Sequence, residues 1–400
     1  MKKRVDRMIN PSVWICLVST AFSCGAQHIP DGAYLGQTPP GNTPEIFAPD
    51  LVSLPERRDT KIVFSPDGSE CFIGTVVDNR FTLLYTSRES GHWSDLVGSD
   101  FLGAADKREP FISPDGLTLF FVRNADIWIS KKQDGEWSDP EKLSGPISTG
   151  AEEWHPTVTD DGTLYFCSTR DGSYNIYRAR PVDGQYPEAE KLDTMVNTQY
   201  EAWDPFIAAD ESYMIFSTSR PDGYGRVDQH VTYYDSVDGS WSQPRNLGAS
   251  INTGQIEYGA YVSPDNRHFF FSRPAGWGAS VPADIYWVST EAVFRDTASN
   301  VEYGAFSTDE FCLGPNYPNP FNPATTIRYV LDRSASVKLT VHNVKGQLVR
   351  TLLNSSQSAG AHLTAWDGRD SSGQSAGSGV YLYRLEMNGQ MMQRKMMLMK

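Results

Sequence analysis

The fold of this 400-residue chain is decided by the stretch Glu109-Pro110-Phe111-Ile112-Ser113-Pro114-Asp115-Gly116-Leu117-Thr118-Leu119-Phe120-Phe121. The stretch predicts an apolar strand, a tight polar turn and a second apolar strand. The same pattern returns at steps of about 46 to 55 residues, over Ile62–Gly68, Pro156–Gly162, Pro205–Glu211 and Ala260–Asn266. A repeat of this period is typical of the blades of a β-propeller.

Each copy continues with a third strand and a second tight turn. In one copy these are Asp126-Ile127-Trp128-Ile129 and Asp134-Gly135, and in the next the turn is Asp183-Gly184. Asp-Gly between apolar strands supplies the positive φ angles that a two-residue hairpin needs. Each copy therefore predicts a four-stranded antiparallel meander, and radial repetition of such sheets protects their edges.

The first and last parts of the repeat region are incomplete in complementary ways. Residues 44–53 have the pattern of a fourth strand with no earlier strands before it, and the last copy, ending near Thr290, has no fourth strand. We expect the N-terminal strand to complete the final sheet. The prediction is an all-β fold with a five-bladed β-propeller over residues 44–291, closed by its N-terminal strand.

The repeated residues resemble the TolB-type, WD40-like propeller repeat. The matching features are an apolar pair, Ser-Pro-Asp-Gly, Leu-x-Phe, an arginine at the strand end, Asp-Ile-Tyr, and Gly-x-Trp-Ser-x-Pro. The resemblance covers roughly residues 44–291 and implies the propeller fold. It does not imply one activity, because such propellers include binding modules and enzymes.

The C-terminal part has a different pattern, with short alternating strands and turns such as Asp367-Gly368 and Asn388-Gly389. It predicts a small immunoglobulin-like β-sandwich over residues 315–400, after a linker over 292–314. The sequence resembles the C-terminal sorting domain of type IX secretion cargo at 317–323, 346–350, 366–370, 378–383 and 395–400. The alternative is an immunoglobulin-like domain that binds a glycan or a scaffold.

The sorting resemblance implies passage through the periplasm, contact with the type IX secretion machinery, and a secreted or outer-membrane cell-surface location. The N-terminus agrees, because basic residues and an apolar run predict a signal peptide over residues 1–26. Cleavage after Ala26 is the first expectation, and lipidation at Cys24 is the alternative. Residues 27–43 are rich in Gly, Pro, Gln and Thr and predict a linker.

Composition limits the other partners. A formal charge of −14 repels phosphate backbones and argues against nucleic acid. No apolar run after residue 26 is long enough to predict a transmembrane span. We expect the protein to be a monomer. Cys71 and Cys167 lie inside predicted strands, so we predict neither a disulfide framework nor a metal site or cofactor. No loop has a recognisable calcium pattern, although the many exposed aspartates leave calcium open.

A ligand site is expected on the face opposite the repeated turns, because there the copies differ. Four residues before each turn stand Lys61, Glu109, His155, Asp204 and Gly259, and one residue earlier stand Thr60, Arg108, Trp154, Trp203 and Tyr258. Pseudosymmetry places equivalent positions in rings around the channel mouth. The predicted ligand-binding residues are Lys61, Arg108, Glu109, Trp154, His155, Trp203, Asp204, Tyr258 and, on an insert, Trp277. In the alternative interpretation the aromatic rings wedge between blades and the charges solvate the channel.

Two functions remain open from the sequence. The first is a surface module without catalysis that binds a glycan or a protein at the channel mouth; the sequence contains no nucleophile elbow, tight metal-ligand cluster or phosphate loop. The second is a glycoside hydrolase or polysaccharide lyase, with Glu109, His155 and Asp204 as catalytic candidates and Glu153 or Glu257 as further acids. A carboxylate pair about 5.5 Å apart, or about 6.5 to 9.5 Å apart, across an open pocket would favour hydrolysis, and pairing with arginine would disfavour it. A TolB-like periplasmic role is disfavoured, because the sorting signal directs the chain outward.

The arginines at the ends of the second strands, Arg123, Arg170, Arg220 and Arg273, each precede an acidic or amide residue at the start of the next strand. We interpret these pairs as internal tethers. The alternative is an arginine cluster for an anionic sugar or a peptide carboxylate.

Overall fold

The structure, a computed structural model, describes residues 28–221, 223–235, 239–276, 281–294, 311–317, 321 and 323–398. Strands dominate, and the helical elements among the described residues are two 3-10 turns, Tyr34–Gly36 and Asp100–Leu102, and the short helix α1, Thr290–Phe294. The predicted all-β class is confirmed. The predicted signal peptide lies outside the described residues, as do Cys24 and Trp277.

The propeller is built from meanders in which each strand pairs with its neighbour in sequence. The first short strand is β1 (Glu45–Ile46). The first meander contains β2 (Arg58–Phe64), β3 (Glu70–Val77), β4 (Arg80–Glu89), β5 (His92–Trp93) and β6 (Val97–Gly98); the second contains β7 (Arg108–Ile112), β8 (Thr118–Arg123), β9 (Asp126–Gln133), β10 (Glu136–Trp137) and β11 (Glu141–Lys142).

The next three meanders repeat the pattern. The third contains β12 (Glu153–Val158), β13 (Leu164–Ser168), β14 (Asn175–Ala179) and β15 (Glu190–Lys191); the fourth contains β16 (Ala202–Ile207), β17 (Tyr213–Thr218), β18 (Asp228–Asp235), β19 (Ser240–Trp241) and β20 (Arg245–Asn246); the fifth contains β21 (Tyr258–Val262), β22 (His268–Pro274) and β23 (Ala283–Ser289). In the first, second and fourth meanders the outer strand is split into two short pieces, which both pair with the third strand.

The first strands of the five meanders contact one another in a closed ring. The contacts run from β2 to β7, β12, β16 and β21 and back to β2. The ring is closed by β1, which pairs antiparallel with β23 so that Ile46 lies opposite Tyr286. The predicted N-terminal closing strand is therefore present. A second link is a parallel bridge between Arg58 and Ala283.

The repeated turns are stabilised by the same pattern of side-chain hydrogen bonds. In the first turn Ser65 Oγ donates to Asp67 Oδ1 at 2.6 Å, and the backbone N–H of Ser69 donates to the same carboxylate at 3.0 Å. Serine and aspartate side chains stabilise such turns by bonding to the local backbone. The apolar strands on either side then bury large side chains such as Phe72 and Phe121.

The prediction of a linker over residues 27–43 is wrong for its described part, residues 28–43. Ile29 and Leu35 are buried in the propeller core. The Tyr34 ring packs edge-on against Phe64 of the first meander and His268 of the fifth. The Gly and Pro residues of this stretch are typical of a linker, but its apolar side chains Ile29, Tyr34 and Leu35 pack against the core, and Tyr34 contacts both meanders where the ring closes.

The C-terminal sandwich contains two sheets. Its strands are β24 (Cys312–Tyr317), β25 (Thr325–Leu331), β26 (Ala335–Asn343), β27 (Leu348–Gln357), β28 (Gly360–Trp366), β29 (Gly379–Met387) and β30 (Gln390–Leu398). One sheet has the order β24-β25-β28 and the other the order β27-β26-β29-β30. Their inner faces bury Trp366, Tyr383 and Leu385. The predicted sandwich is confirmed.

The predicted linker over residues 292–314 is too long at both ends. Residues 292–294 belong to α1, and residues 312–314 belong to β24; residues 295–310 lie outside the described part. The sequence missed β24 because Gly314 and Pro315 interrupt its apolar pattern. The sandwich contacts the propeller through an ion pair of 2.8 Å between Arg394 Nη2 and Asp235 Oδ2. None of the helices in the described part of the chain has the length and apolarity to cross a membrane.

Candidate functional site

Each first strand carries an irregularity at the position four residues before the repeated turn. The strand register shifts there in all five meanders. Glu109, His155 and Asp204 have positive φ angles of 55°, 55° and 54°. Non-glycine residues rarely adopt this conformation, and bulges of this kind redirect a side chain. The bulges explain why the side chains at this position leave the alternation of the strand and converge.

The fifth copy has Gly259 at this position, with φ 72°. A Cβ atom there would lie 2.4 Å from the carbonyl oxygen of Thr60, so a side chain does not fit. The Gly259 N–H instead donates to Asp204 Oδ2. Every meander thus contributes one group to the centre, four side chains and one backbone N–H.

The four side chains form what we call the channel cluster: Lys61, Glu109, His155 and Asp204. His155 Nδ1 lies 2.9 Å from Glu109 Oε2 and 3.1 Å from Asp204 Oδ1. Lys61 Nζ lies 3.6 Å from Asp204 Oδ1. The sequence placed these residues at equivalent positions, and the ring brings them into contact.

The cluster favours charged groups. Burial alone would lower the pKa of His155, but the Glu109 and Asp204 carboxylates outweigh it and raise this pKa to about 9. Burial would also raise the pKa of Asp204, yet His155, Lys61 and the Gly259 N–H hold it well below its usual range. The cluster pairs two basic side chains with two acidic ones, which is how buried charges are tolerated.

The members of the cluster differ in exposure. The His155 side chain is 17% exposed, whereas Glu109 is 7% exposed and Lys61 and Asp204 are fully buried. Lys61 Nζ has no hydrogen-bond partner among the described residues, and the contact of Asp204 Oδ1 at hydrogen-bond distance is with His155 Nδ1. The separation of 3.6 Å between Lys61 Nζ and Asp204 Oδ1 is that of an ion pair and exceeds hydrogen-bond reach.

A second set of side chains, the mouth ring, comes from the positions one residue earlier: Arg108, Trp154, Trp203 and Tyr258. All four are partly exposed. The Arg108 guanidinium lies 4.8 Å from the centre of the Trp154 ring, and Arg58 lies 5.7 Å from the centre of the Tyr258 ring. Thr60, the fifth residue at this position, is buried.

Sequence reasoning missed the side chains that connect the mouth ring. Phe81 lies 3.7 Å from the Arg108 guanidinium, on β4. Glu152 accepts hydrogen bonds from Trp154 Nε1 at 3.2 Å and from Tyr174 Oη at 2.7 Å. The Tyr174 ring in turn meets Trp203 edge-on at 6.1 Å. These residues occupy positions that do not repeat, so the repeat gave no signal for them.

The two further acids predicted for hydrolysis pair with arginine. Glu153 lies 3.4 Å from Arg170, and Glu257 lies 2.9 Å from Arg273. Both acids are fully buried, and each also accepts a hydrogen bond from a threonine hydroxyl. This is the pairing that we took as evidence against hydrolysis.

The arginines are internal tethers, but most of their partners differ from those predicted. Arg170, Arg220 and Arg273 donate to the backbone carbonyls of Ile147, Val196 and Ile251. These carbonyls lie in the loops that precede the first strands, so the arginines fix those loops. Asp126, predicted as the partner of Arg123, forms its ion pair with Lys142 at 2.7 Å.

Tyr224 lies between β17 and β18, in the connection of the second and third strands of the fourth meander, and its side chain is 53% exposed.

Comparisons with known proteins agree with the immunoglobulin-like C-terminal sandwich. Residues 322–390 match the family of FlgD Ig-like domains. A search among curated proteins gave no match.

Several solved structures are similar at 13–15% sequence identity. TolB from Acinetobacter baumannii is 15% identical over 58% of this chain and 57% of its own, with a TM-score of 0.36. The α-L-arabinofuranosidase PaAbf62A from Podospora anserina is 13% identical over 62% and 98%, with a TM-score of 0.44. PorZ, a surface component of the type IX secretion system of Porphyromonas gingivalis, is 14% identical over 86% and 45%, with a TM-score of 0.34.

Proposed function

We propose that the protein is a secreted or cell-surface binding module that takes a carbohydrate at the channel mouth. The observation that carries this proposal is the run of partly exposed flat groups from Phe81 through Arg108 and Trp154 to Tyr174 and Trp203. The run crosses four meanders, so it offers several flat groups side by side to an extended ligand. The five-sheet ring holds that surface rigid.

The chemistry of the mouth ring suits a sugar better than an apolar peptide. Aromatic rings offer apolar faces for the C–H groups of a pyranose, and tryptophan and tyrosine keep one polar edge. The Glu152 carboxylate, which already accepts hydrogen bonds from Trp154 and Tyr174, lies on the exposed surface. Hydroxyl groups of a ligand can donate to it and accept from Arg108.

The contacts disfavour hydrolysis by two carboxylates. An oxygen of Glu109 and one of Asp204 lie within 4.8 Å of each other, and His155 bridges them. The pKa of Asp204 is held well below its usual range, so this group does not supply a proton. A glycosidase needs one carboxylic acid of raised pKa facing the glycosidic oxygen. We therefore expect binding without cleavage by this mechanism.

A double variant tests the binding proposal. Full-length protein carrying Trp154→Ala and Trp203→Ala loses two stacking platforms, and we expect glycan affinity on an array and by calorimetry to fall about 10-fold or more, at about 1 kcal/mol for each aromatic contact. Trp137→Ala is the matched control. Trp137 is also partly buried, but its Nε1 donates to Glu70, away from the mouth ring. Equal glycan binding by the wild type and the double variant contradicts the proposal.

The second part of the proposal concerns export. The sandwich would act as the sorting domain that delivers the propeller across the outer membrane through the type IX secretion machinery. Its support is the ordered set of sorting-domain residues in the sequence, together with the strand arrangement, in which the last strand β30 pairs with β29 along its whole length.

A further inference from the structure

We propose that the channel cluster binds a divalent transition-metal ion, Zn²⁺ or Mn²⁺, through Glu109, His155 and Asp204. This site is distinguished from the sugar surface by burial, because Glu109 and Asp204 are buried and the side chains of the mouth ring are partly exposed. The three residues come from β7, β12 and β16, and one donor atom of each lies within 4.8 Å of the other two.

The spacing of the donor atoms matches a coordination sphere. Two ligands at about 2.1 Å from an ion are separated by about 3.0 Å at an octahedral angle of about 90° and by about 3.4 Å at the tetrahedral angle that zinc prefers. His155 Nδ1 lies 2.9 Å from Glu109 Oε2 and 3.1 Å from Asp204 Oδ1. One imidazole nitrogen with two carboxylate oxygens suits zinc or manganese, whereas calcium takes oxygen ligands.

One buried atom next to these donors points to a ligand independently. Lys61 Nζ is fully buried and donates no hydrogen bond to the described residues, whereas Asp204 Oδ1 has the 3.1 Å contact with His155 Nδ1. A protein interior rarely leaves a buried ammonium group unsatisfied. A hydrated cation satisfies the Lys61 ammonium group, because the ion binds Asp204 Oδ1 and an oxygen of its bound water accepts from Lys61 Nζ.

The charge and proton balance is simple. The ion replaces the proton on His155 Nδ1, which is released to solvent. The ion adds two charges and the proton removes one, so the cluster gains one positive charge. A metal-bound hydroxide or an anionic ligand group would neutralise that charge, with Lys61 beside it. No redox step and no second reactant are required.

Metal binding can be measured on the full chain without any sugar. The protein is stripped with a chelator, dialysed against Zn²⁺ or Mn²⁺, and assayed for metal content and for affinity against a chelating dye. We expect one equivalent per chain in the wild type. Glu109→Gln keeps the side-chain shape and removes the charge, and we expect affinity to fall at least about 10-fold. His155→Asn is a second variant that removes the nitrogen donor.

The matched control is Glu153→Gln, which removes a fully buried carboxylate that pairs with Arg170, outside the cluster. It should bind metal like the wild type. Circular dichroism verifies that each variant is folded. Folded wild-type protein that retains neither ion overturns the proposal, and so does equal affinity in Glu109→Gln and the wild type. Loss of glycan binding in the mouth-ring double variant with unchanged metal content would separate the two sites.

Discussion

At the scale of single residues, several side chains are held in conformations or environments that oppose stability. Glu109, His155 and Asp204 share a left-handed backbone conformation, which costs of order 1 kcal/mol for each non-glycine residue. The surrounding sheets hold all three residues in this strained backbone conformation. Because it points the three side chains at one spot, we connect it with binding rather than with folding.

Asp59 gives a residue-scale prediction on pH. It is fully buried beside Arg57, and burial outweighs that pairing and raises its pKa to about 6. A carboxyl group with a raised pKa stabilises the fold most at a pH below its unfolded value near 4, and this contribution is lost as the pH rises through 6. Asp59→Asn should therefore gain about 2 kcal/mol relative to the wild type between pH 4 and pH 8.

Urea unfolding of both proteins at the two pH values measures this difference. Asp106→Asn is the control, since Asp106 is more exposed and pairs with Arg80 at the surface. The unfolding free energies of Asp59→Asn and the wild type can be compared at each pH. If their difference is the same at pH 4 and pH 8, Asp59 does not titrate in this way.

At the scale of elements, the repeated turns set the register of the meanders. In three copies a serine hydroxyl bonds to the turn aspartate, and in the third meander Thr159 takes that place. In the fourth meander Ala208 occupies the position, and Asp210 accepts a backbone hydrogen bond from Ser212 at 3.1 Å. The chain thus contains four turns with a hydroxyl at this position and one turn, in the fourth meander, without it.

We predict that Asp67→Ala lowers the unfolding free energy by about 1 kcal/mol more than Asp210→Ala. Asp67 accepts hydrogen bonds from Ser65 Oγ, Ser69 Oγ and the Ser69 N–H. A net hydrogen bond contributes about 1 kcal/mol, and Asp210 has fewer of them to lose. Thermal and urea unfolding of the two variants measure the difference. A larger loss in Asp210→Ala would contradict this account of the turns.

At the scale of the whole molecule, the N-terminal segment and the last strand complete different domains. Residues 28–46 clamp and close the ring, through Tyr34 and β1. The last strand β30 completes the sandwich and reaches the propeller through Arg394. If the sandwich is a sorting domain, its last strand is the part that the secretion machinery should need.

We predict that deletion of residues 390–400 leaves the protein in the periplasm. The deletion also weakens the sandwich, so Leu339→Ala is the control. Leu339 is fully buried in β26, and its truncation costs about 2 to 5 kcal/mol while β30 stays in place. Fractionation and surface proteolysis locate each protein in a host that has this secretion system. If the deletion variant reaches the cell surface, the sorting role is refuted. If both the deletion variant and Leu339→Ala stay in the periplasm, a folding defect explains the result.

The sequence by itself determined the elements and most of their order. Ser-Pro-Asp-Gly and Asp-Gly turns between apolar runs specify hairpins locally, because turn geometry depends on a few adjacent residues. The strand positions, the closing strand at Ile46 and the sandwich were therefore predictable. The packed segment around Tyr34 and the strand β24 were not, because their partners lie far away in the chain.

The tertiary structure alone decided the chemistry at the centre. Glu109 and His155 stand 46 residues apart, and no local pattern joins them. Their contact requires a ring of five sheets and bulges that turn the side chains inward, so spacing in the sequence could not show that these donor atoms meet. The same ring linked Arg108 to Phe81 and Trp203 to Tyr174, whereas the local sequence carries no information on which neighbour a side chain meets across a blade boundary.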